Sequence, residues 1–195
     1  SSFIALAKPE LSVKHDALDS DPYLLNTING IIDFKNNIFR EHRREDLITK
    51  RINFPLGDCT PSEWLRFLNT IFQGDLELIR YIKKALGYSL TGDVSEDCLF
   101  ILYGTGRNGK STFLNVLSKI LGDYACNTPA ETLMARKNDT ISNDVARLEG
   151  ARLVTAYETE DNKRLAEAKI KALTGGDPIT ARFLHKEYFE FWPTF

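Results

Sequence analysis

An apolar run, Leu99 to Tyr103, breaks at Gly104 into a glycine-rich turn, and Lys110, Ser111 and Thr112 then open a segment of helical periodicity. This stretch constrains the fold more than any other, because a strand that gives way to a helix over so few residues is the first half of a parallel β-α-β unit. Its spacing is G-x-x-x-x-G-K-S, the pattern of a loop that cradles phosphate. Gly104, Gly106 and Gly109 can take positive φ and carry no side chain, so consecutive backbone NH groups can converge on phosphate oxygens. The helix start adds free NH donors and the positive end of its dipole. Lys110 is expected against the β and γ phosphates of a nucleoside triphosphate, where a contact-distance charge pair is worth about 4 kcal/mol at an intermediate dielectric. Ser111 offers its hydroxyl to Mg2+, and Thr105, Arg107, Asn108 and Thr112 complete the expected triphosphate site.

At 195 residues the chain has room for one good core, or one core with a small appendage. Its net charge of −2 argues against general coating of nucleic acid, so any contact with DNA must come from a local basic feature. No run of some eighteen apolar residues is present to span a membrane. The opening Ser-Ser-Phe-Ile-Ala-Leu-Ala-Lys-Pro has no basic segment before it, so a signal peptide is not expected. Cys59, Cys98 and Cys126 form no C-x-x-C, and His15, His42 and His185 show no ligand spacing. They read as reduced cysteines of a cytoplasmic protein without a zinc site.

Along the chain, residues 23–41 alternate short apolar runs with turn signals, and Asn29-Gly30 between two such runs indicates a small β-meander. The charged stretch from Arg40 to Arg44 reads as a solvated loop. Thr60-Pro61-Ser62-Glu63 fits a capping box, followed by Trp64, Leu68 and Ile71 at helical spacing. Asp75 is expected to cap a second helix with Leu78, Ile79, Ile82 and Leu86 on its apolar side and Gly87 as its stop. Trp64 is read as a core residue of this helical subdomain, residues 60–90. After the glycine loop, Phe113, Leu114, Val116, Leu117, Ile120 and Leu121 make a buried helical face ended by Gly122. Residues 127–144 read as lightly structured, and Asn143 to Leu148 as one or two helical turns.

Arg152 to Tyr157 reads as a second parallel-type strand, running into Glu158-Thr159-Glu160. A carboxylate in that position has the form of a Walker B element, which holds Mg2+ and orients an attacking water. Glu158 is the first choice and Glu160 the second, so Lys110, Glu158 and Glu160 are the candidate catalytic residues, with Ser111 and Glu158 on the metal. Lys163 to Leu173 reads as a helix. Ile179 to Leu184 and Tyr188 to Phe191 then read as two β-prone runs joined by His185-Lys186-Glu187, a hairpin with a cationic tip.

Taken together these residues resemble the phage and plasmid primase-helicases of the phage P4 and poxvirus D5 type, in helicase superfamily 3. The resemblance rests on Leu24 to Phe34, on Arg80 to Tyr88, on Gly104 to Thr112, on Gly150 to Glu160, and on Lys171-Ala-Leu-Thr-Gly-Gly-Asp-Pro-Ile-Thr-Ala-Arg182. It implies a D5-type N-terminal region over residues 1–92 and, over residues 93–195, an α/β P-loop NTPase domain of AAA+-like type with a parallel sheet incomplete at its C-terminal side. It implies ATP and Mg2+ as cofactors, and a homo-hexamer that draws a single DNA strand through its central channel. Lys186 and His185, helped by Arg182, would touch the DNA backbone from the channel hairpin. Six copies of a small cationic tip on one axis would reconcile a DNA motor with a slightly acidic chain.

The family continues into a strand ending in a polar sensor residue and into elements that supply an arginine finger. Neither is found before Phe195, so the chain is expected to be a fragment, with the absent strand lying between the P-loop strand and the Walker B strand. A primase domain or partner is expected upstream or alongside, no membrane partner is expected, and the site of action would be the host cytoplasm. Two other readings stay open. A nucleotide-gated DNA-binding or assembly module with little turnover suits a chain without sensor and finger. A small-molecule kinase or GTPase would share the loop, although Asn162-Lys163 is followed by Arg164-Leu165 instead of completing N-K-x-D, and no arginine-rich lid is visible.

Overall fold

The computed structural model describes residue 4 and residues 12–58, 60–135, 143–157 and 164–195. The alternating segment folds as expected into an antiparallel meander of β1 (Leu24–Thr27), β2 (Gly30–Asp33) and β3 (Ile38–Arg40). Its first turn falls one residue earlier than the Asn-Gly signal, since Thr27 pairs with Gly30 and leaves Ile28-Asn29 as the loop. The Asn29 side chain explains the shift. Its amide donates to the Leu56 carbonyl and its oxygen accepts from the Leu56 NH, both at 2.8 Å, which fastens the turn to a distant segment. Arg40 closes the following charged stretch through a two-pronged bond to Asp46, at 2.9 and 2.7 Å.

Two helices follow, α1 (Ser62–Ile71) and α2 (Leu76–Leu90). The expected capping box does not form, because Pro61 itself takes the cap position and no side chain bonds to the helix start. Asp75 does cap α2, accepting from the Leu78 NH at 2.9 Å. Gly87 does not stop it. The helix runs three residues further, where the Thr91 hydroxyl donates to the Tyr88 carbonyl at 2.7 Å and closes the end. Trp64 is a core residue, stacked between Phe67 at 5.3 Å and Phe113 at 5.7 Å.

The helix after the glycine loop, α3 (Lys110–Leu121), buries Phe113, Leu117 and Leu121 and ends at Gly122, while Ile120 is exposed, against expectation. It leads into β4 (Ala125–Pro129), which pairs in parallel with β5 (Leu153–Tyr157) by way of the single helical turn α4 (Asn143–Ala146). β4 corrects the reading of residues 127–144 as lightly structured from their start. The second correction is larger: Leu99 to Tyr103 belongs to no sheet. β4 and β5 bond to each other, and no strand of the described residues lies beside this run. Leu99, Phe100, Ile101 and Tyr103 are therefore exposed and Leu102 alone packs inward.

α5 (Glu167–Thr174) starts later than expected, because the Ala135 NH bonds to the Arg164 carbonyl and the Ala166 NH to the Leu133 carbonyl, which holds residues 164–166 extended. The last elements are β6 (Ile179–Ala181) and β7 (Phe189–Phe191), the expected hairpin with shorter strands and a wider tip. The fold is thus mixed α/β, with one small parallel sheet and two antiparallel ones.

The β4-β5 sheet is the wall shared by the cores. Successive strand residues face opposite sides, so Ala125 and Leu153 meet the meander residues Leu25, Ile32 and Phe34, while Cys126 and Val154 meet Leu148, Leu173 and Phe191. A third cluster joins α1 and α2 to α3 through Leu68, Ile79, Phe113 and Leu117, and Leu153 reaches it too.

Candidate functional site

The glycine loop carries the densest set of backbone constraints in the chain. Gly106, Arg107 and Gly109 take φ of 85°, 48° and 85°, which turns successive peptide NH groups toward one side. A side chain at Gly104 would run into the Asn108 amide, and one at Gly109 would lie 2.6 Å from Ile71 Cγ2. The loop therefore closes on itself at one end and is pressed against α1 at the other.

Inside it, Lys110 Nζ donates to the Gly104 carbonyl at 3.0 Å and to Asn108 Oδ1 at 2.9 Å. Both acceptors are neutral, so the ammonium keeps its charge for an anion. The first bond of α3 runs from the Phe113 NH to the Gly109 carbonyl at 2.9 Å, which leaves the NH groups of Lys110, Ser111 and Thr112 without a helical acceptor. Thr105, Arg107, Asn108, Ser111 and Thr112 are exposed. Converging NH donors, a poised ammonium and an accessible hydroxyl fit a triphosphate with its Mg2+ on Ser111. Of the expected residues, the structure brings Gly104, Asn108, Gly109 and Lys110 together.

Glu158 and Glu160 lie outside the described residues. The strand that precedes them is anchored close to the loop's helix: the Tyr157 hydroxyl donates to Asn115 Oδ1 at 3.1 Å, and Asn115 stands one turn beyond Ser111 on α3. This contact was not foreseeable from spacing, since it joins residues from separate elements.

Arg182, His185 and Lys186 sit on the β6-β7 hairpin, apart from the glycine loop in the fold and all exposed. The Arg182 guanidinium lies 4.8 Å from the Tyr188 ring centre, so it is held over an aromatic face instead of hanging free. His185 takes a left-handed φ of 61° and the Lys186 NH bonds to the Phe183 carbonyl at 3.0 Å, which closes the tip. Asn143 Oδ1 accepts from the Leu184 NH at 3.2 Å and ties the tip to α4. Among the described residues no cluster of His, Cys, Asp or Glu could hold a metal, and no helix is long and apolar enough to cross a membrane.

A glycine loop that opens a helix, followed by a parallel β-α-β crossover and a cationic hairpin, defines a mixed α/β protein built to handle phosphate. Residues 1–73 match the family described as D5 N terminal like, and residues 102–195 match a family of unknown function. The chain is 32% identical over 185 residues to a protein of Acanthamoeba polyphaga mimivirus provisionally named a helicase, covering 91% of this chain and 19% of the relative. It is 24% identical over 251 residues to a provisionally named helicase of Frog virus 3, covering 92% of this chain and 26% of that protein. A provisionally named primase of African swine fever virus is 23% identical over 189 residues, covering 91% and 19%. The chain belongs to the D5-type primase-helicase family. It spans about a fifth to a quarter of the length of these relatives.

Proposed function

We propose that this chain is the ATP-binding portion of a replicative DNA helicase, which hydrolyses ATP to draw single-stranded DNA through a homo-hexameric ring. The observation that carries the reading is the clasp of Lys110 between Gly104 and Asn108 at a helix start whose NH groups are free of helical acceptors. The order of elements supports it: phosphate loop, strand anchored beside α3, cationic hairpin. In this reading the P-loop NTPase domain holds ATP on Gly104 to Thr112 and Mg2+ on Ser111 and Glu158. Glu158, with Glu160 as the alternative, orients the attacking water, and Arg182, His185 and Lys186 grip the DNA backbone. The viral relatives named as helicases and primases support a role in replication, with a primase domain or partner alongside and the host cytoplasm as the place of action.

In the complete protein, Lys110→Ala is expected to abolish ATP binding and DNA-stimulated hydrolysis. Lys186→Ala is expected to keep ATP binding and lose the stimulation by DNA, with a shallower dependence of DNA affinity on salt. An intact ring whose hydrolysis is indifferent to DNA would sink the reading.

One observation favours a second reading, a nucleotide-gated assembly module with little turnover. The apolar run just before the loop is exposed, with Ile101 at 68% and Tyr103 at 91%, so ordering of this run on nucleotide binding could drive association. ATP-dependent oligomers with slow hydrolysis would separate it from the motor.

A further inference from the structure

The phosphate loop does not end at bare solvent. Ile71, the last residue of α1, touches Gly109, and the next residue, Phe72, packs edge-on against Phe113 with ring centres 6.4 Å apart. Phe113 directly follows Thr112, so the turn between α1 and α2 adjoins the place where the phosphate-binding NH groups stop. An open groove of about 490 Å3 lies on that turn, lined by Ile71, Phe72, Gln73, Gly74, Asp75 and Leu78. Its volume falls in the range of roughly 300–1,000 Å3 that holds small ligands.

We propose that this groove is the nucleoside subsite of the triphosphate site and that it favours adenine; the inference rests on the phosphate-loop reading. Ile71, Phe72 and Leu78 supply apolar surface for a purine face. Asp75 is occupied by its cap on Leu78. The Gln73 side chain is exposed, and its amide makes no hydrogen bond to a described residue, so it is the polar group left for the base edge. Backbone bonds from Gln73 to Thr70, from Gly74 to Asn69 and from Asp75 to Phe72 fix the turn, which presents the amide from a rigid base. A carboxamide has one donor and one acceptor side. It matches the N6 donor and N7 acceptor of adenine in two bonds, whereas guanine offers two acceptors there and can use only one side.

The test is competition against fluorescent methylanthraniloyl-ATP on the full chain, with ATP, GTP and inorganic tripolyphosphate as competitors. ATP is expected to outcompete GTP by about tenfold, the discrimination of one such amide pair. Gln73→Ala is expected to bring ATP down to the level of GTP while tripolyphosphate, which has no base, still competes through Lys110. Equal affinity for ATP and GTP in the unmodified chain, or a preference that survives Gln73→Ala, would overturn the subsite. If instead Lys110→Ala leaves tripolyphosphate and ATP binding intact, the phosphate-loop reading itself fails, and the two failures are distinct.

Discussion

Arg152 shows how one side chain can tie the described structure together. It is buried at the start of β5, donates to the Leu90 carbonyl at the end of α2 and to the Leu24 carbonyl in β1, both at 2.6 Å, and lies 4.7 Å from the Tyr124 ring centre. Burial pulls its pKa down, with the neighbouring Tyr124 opposing that shift. A buried guanidinium is tolerable here because its fork meets two carbonyls at once and an aromatic face covers it. Arg152→Met keeps the apolar stem but strands both carbonyls, at an expected cost of about 3 kcal/mol or more in urea unfolding. Arg152→Lys should recover only part of that, since a single ammonium cannot span both acceptors. A Met variant as stable as the parent would mean that water replaces the guanidinium at both carbonyls.

At the scale of elements, the contact between α1 and the phosphate loop makes its own demand on Gly109. The position has φ of 85°, and a Cβ there would overlap Ile71. Gly109→Ala should cost about 2–4 kcal/mol, the sum of left-handed strain and overpacking. Combined with Ile71→Ala, it should cost less than the two singles added, by about 1 kcal/mol, because the overlap is gone while the backbone strain stays. Strict additivity would show that the helix and loop are not pressed together. The glycine pattern and the Lys110 position were legible in the sequence because they answer to local backbone chemistry. The Ile71 contact was not, since it is set by how α1 packs on α3. The same division holds for strands. The meander and the β6-β7 hairpin announce themselves by alternation and turn residues, whereas Ala-Cys-Asn-Thr-Pro forms β4 only because β5, 28 residues further on, bonds along it. Leu99 to Tyr103 is the converse case: its residues are strongly β-prone, but a strand needs a neighbour and the described residues provide none there.

Considered whole, the molecule has three apolar clusters, and the question is whether they are three stabilities or one. The two family matches, to residues 1–73 and 102–195, invite a division between them. The contacts argue for union. Leu25 and Ile52 pack against Leu121 and Tyr124, Leu153 serves two clusters at once, and the Tyr124 hydroxyl accepts from the Asn26 NH at 3.2 Å. A perturbation in the meander should therefore be felt in the helical cluster, where Trp64 is a natural reporter once Trp192→Phe removes the only other tryptophan. Leu25 is 1% exposed, so Leu25→Ala should cost about 2–5 kcal/mol. In that background the urea midpoint read by Trp64 fluorescence is expected to fall together with the midpoint read by far-ultraviolet circular dichroism, as for a single cooperative unit. If Trp64 holds its midpoint while the dichroism signal splits into two transitions, the meander folds separately and the β4-β5 sheet is a contact surface between independent parts. Coincident shifts would instead mean that a change at the phosphate loop can reach the meander only by loosening the whole fold, because no part of it can be released alone.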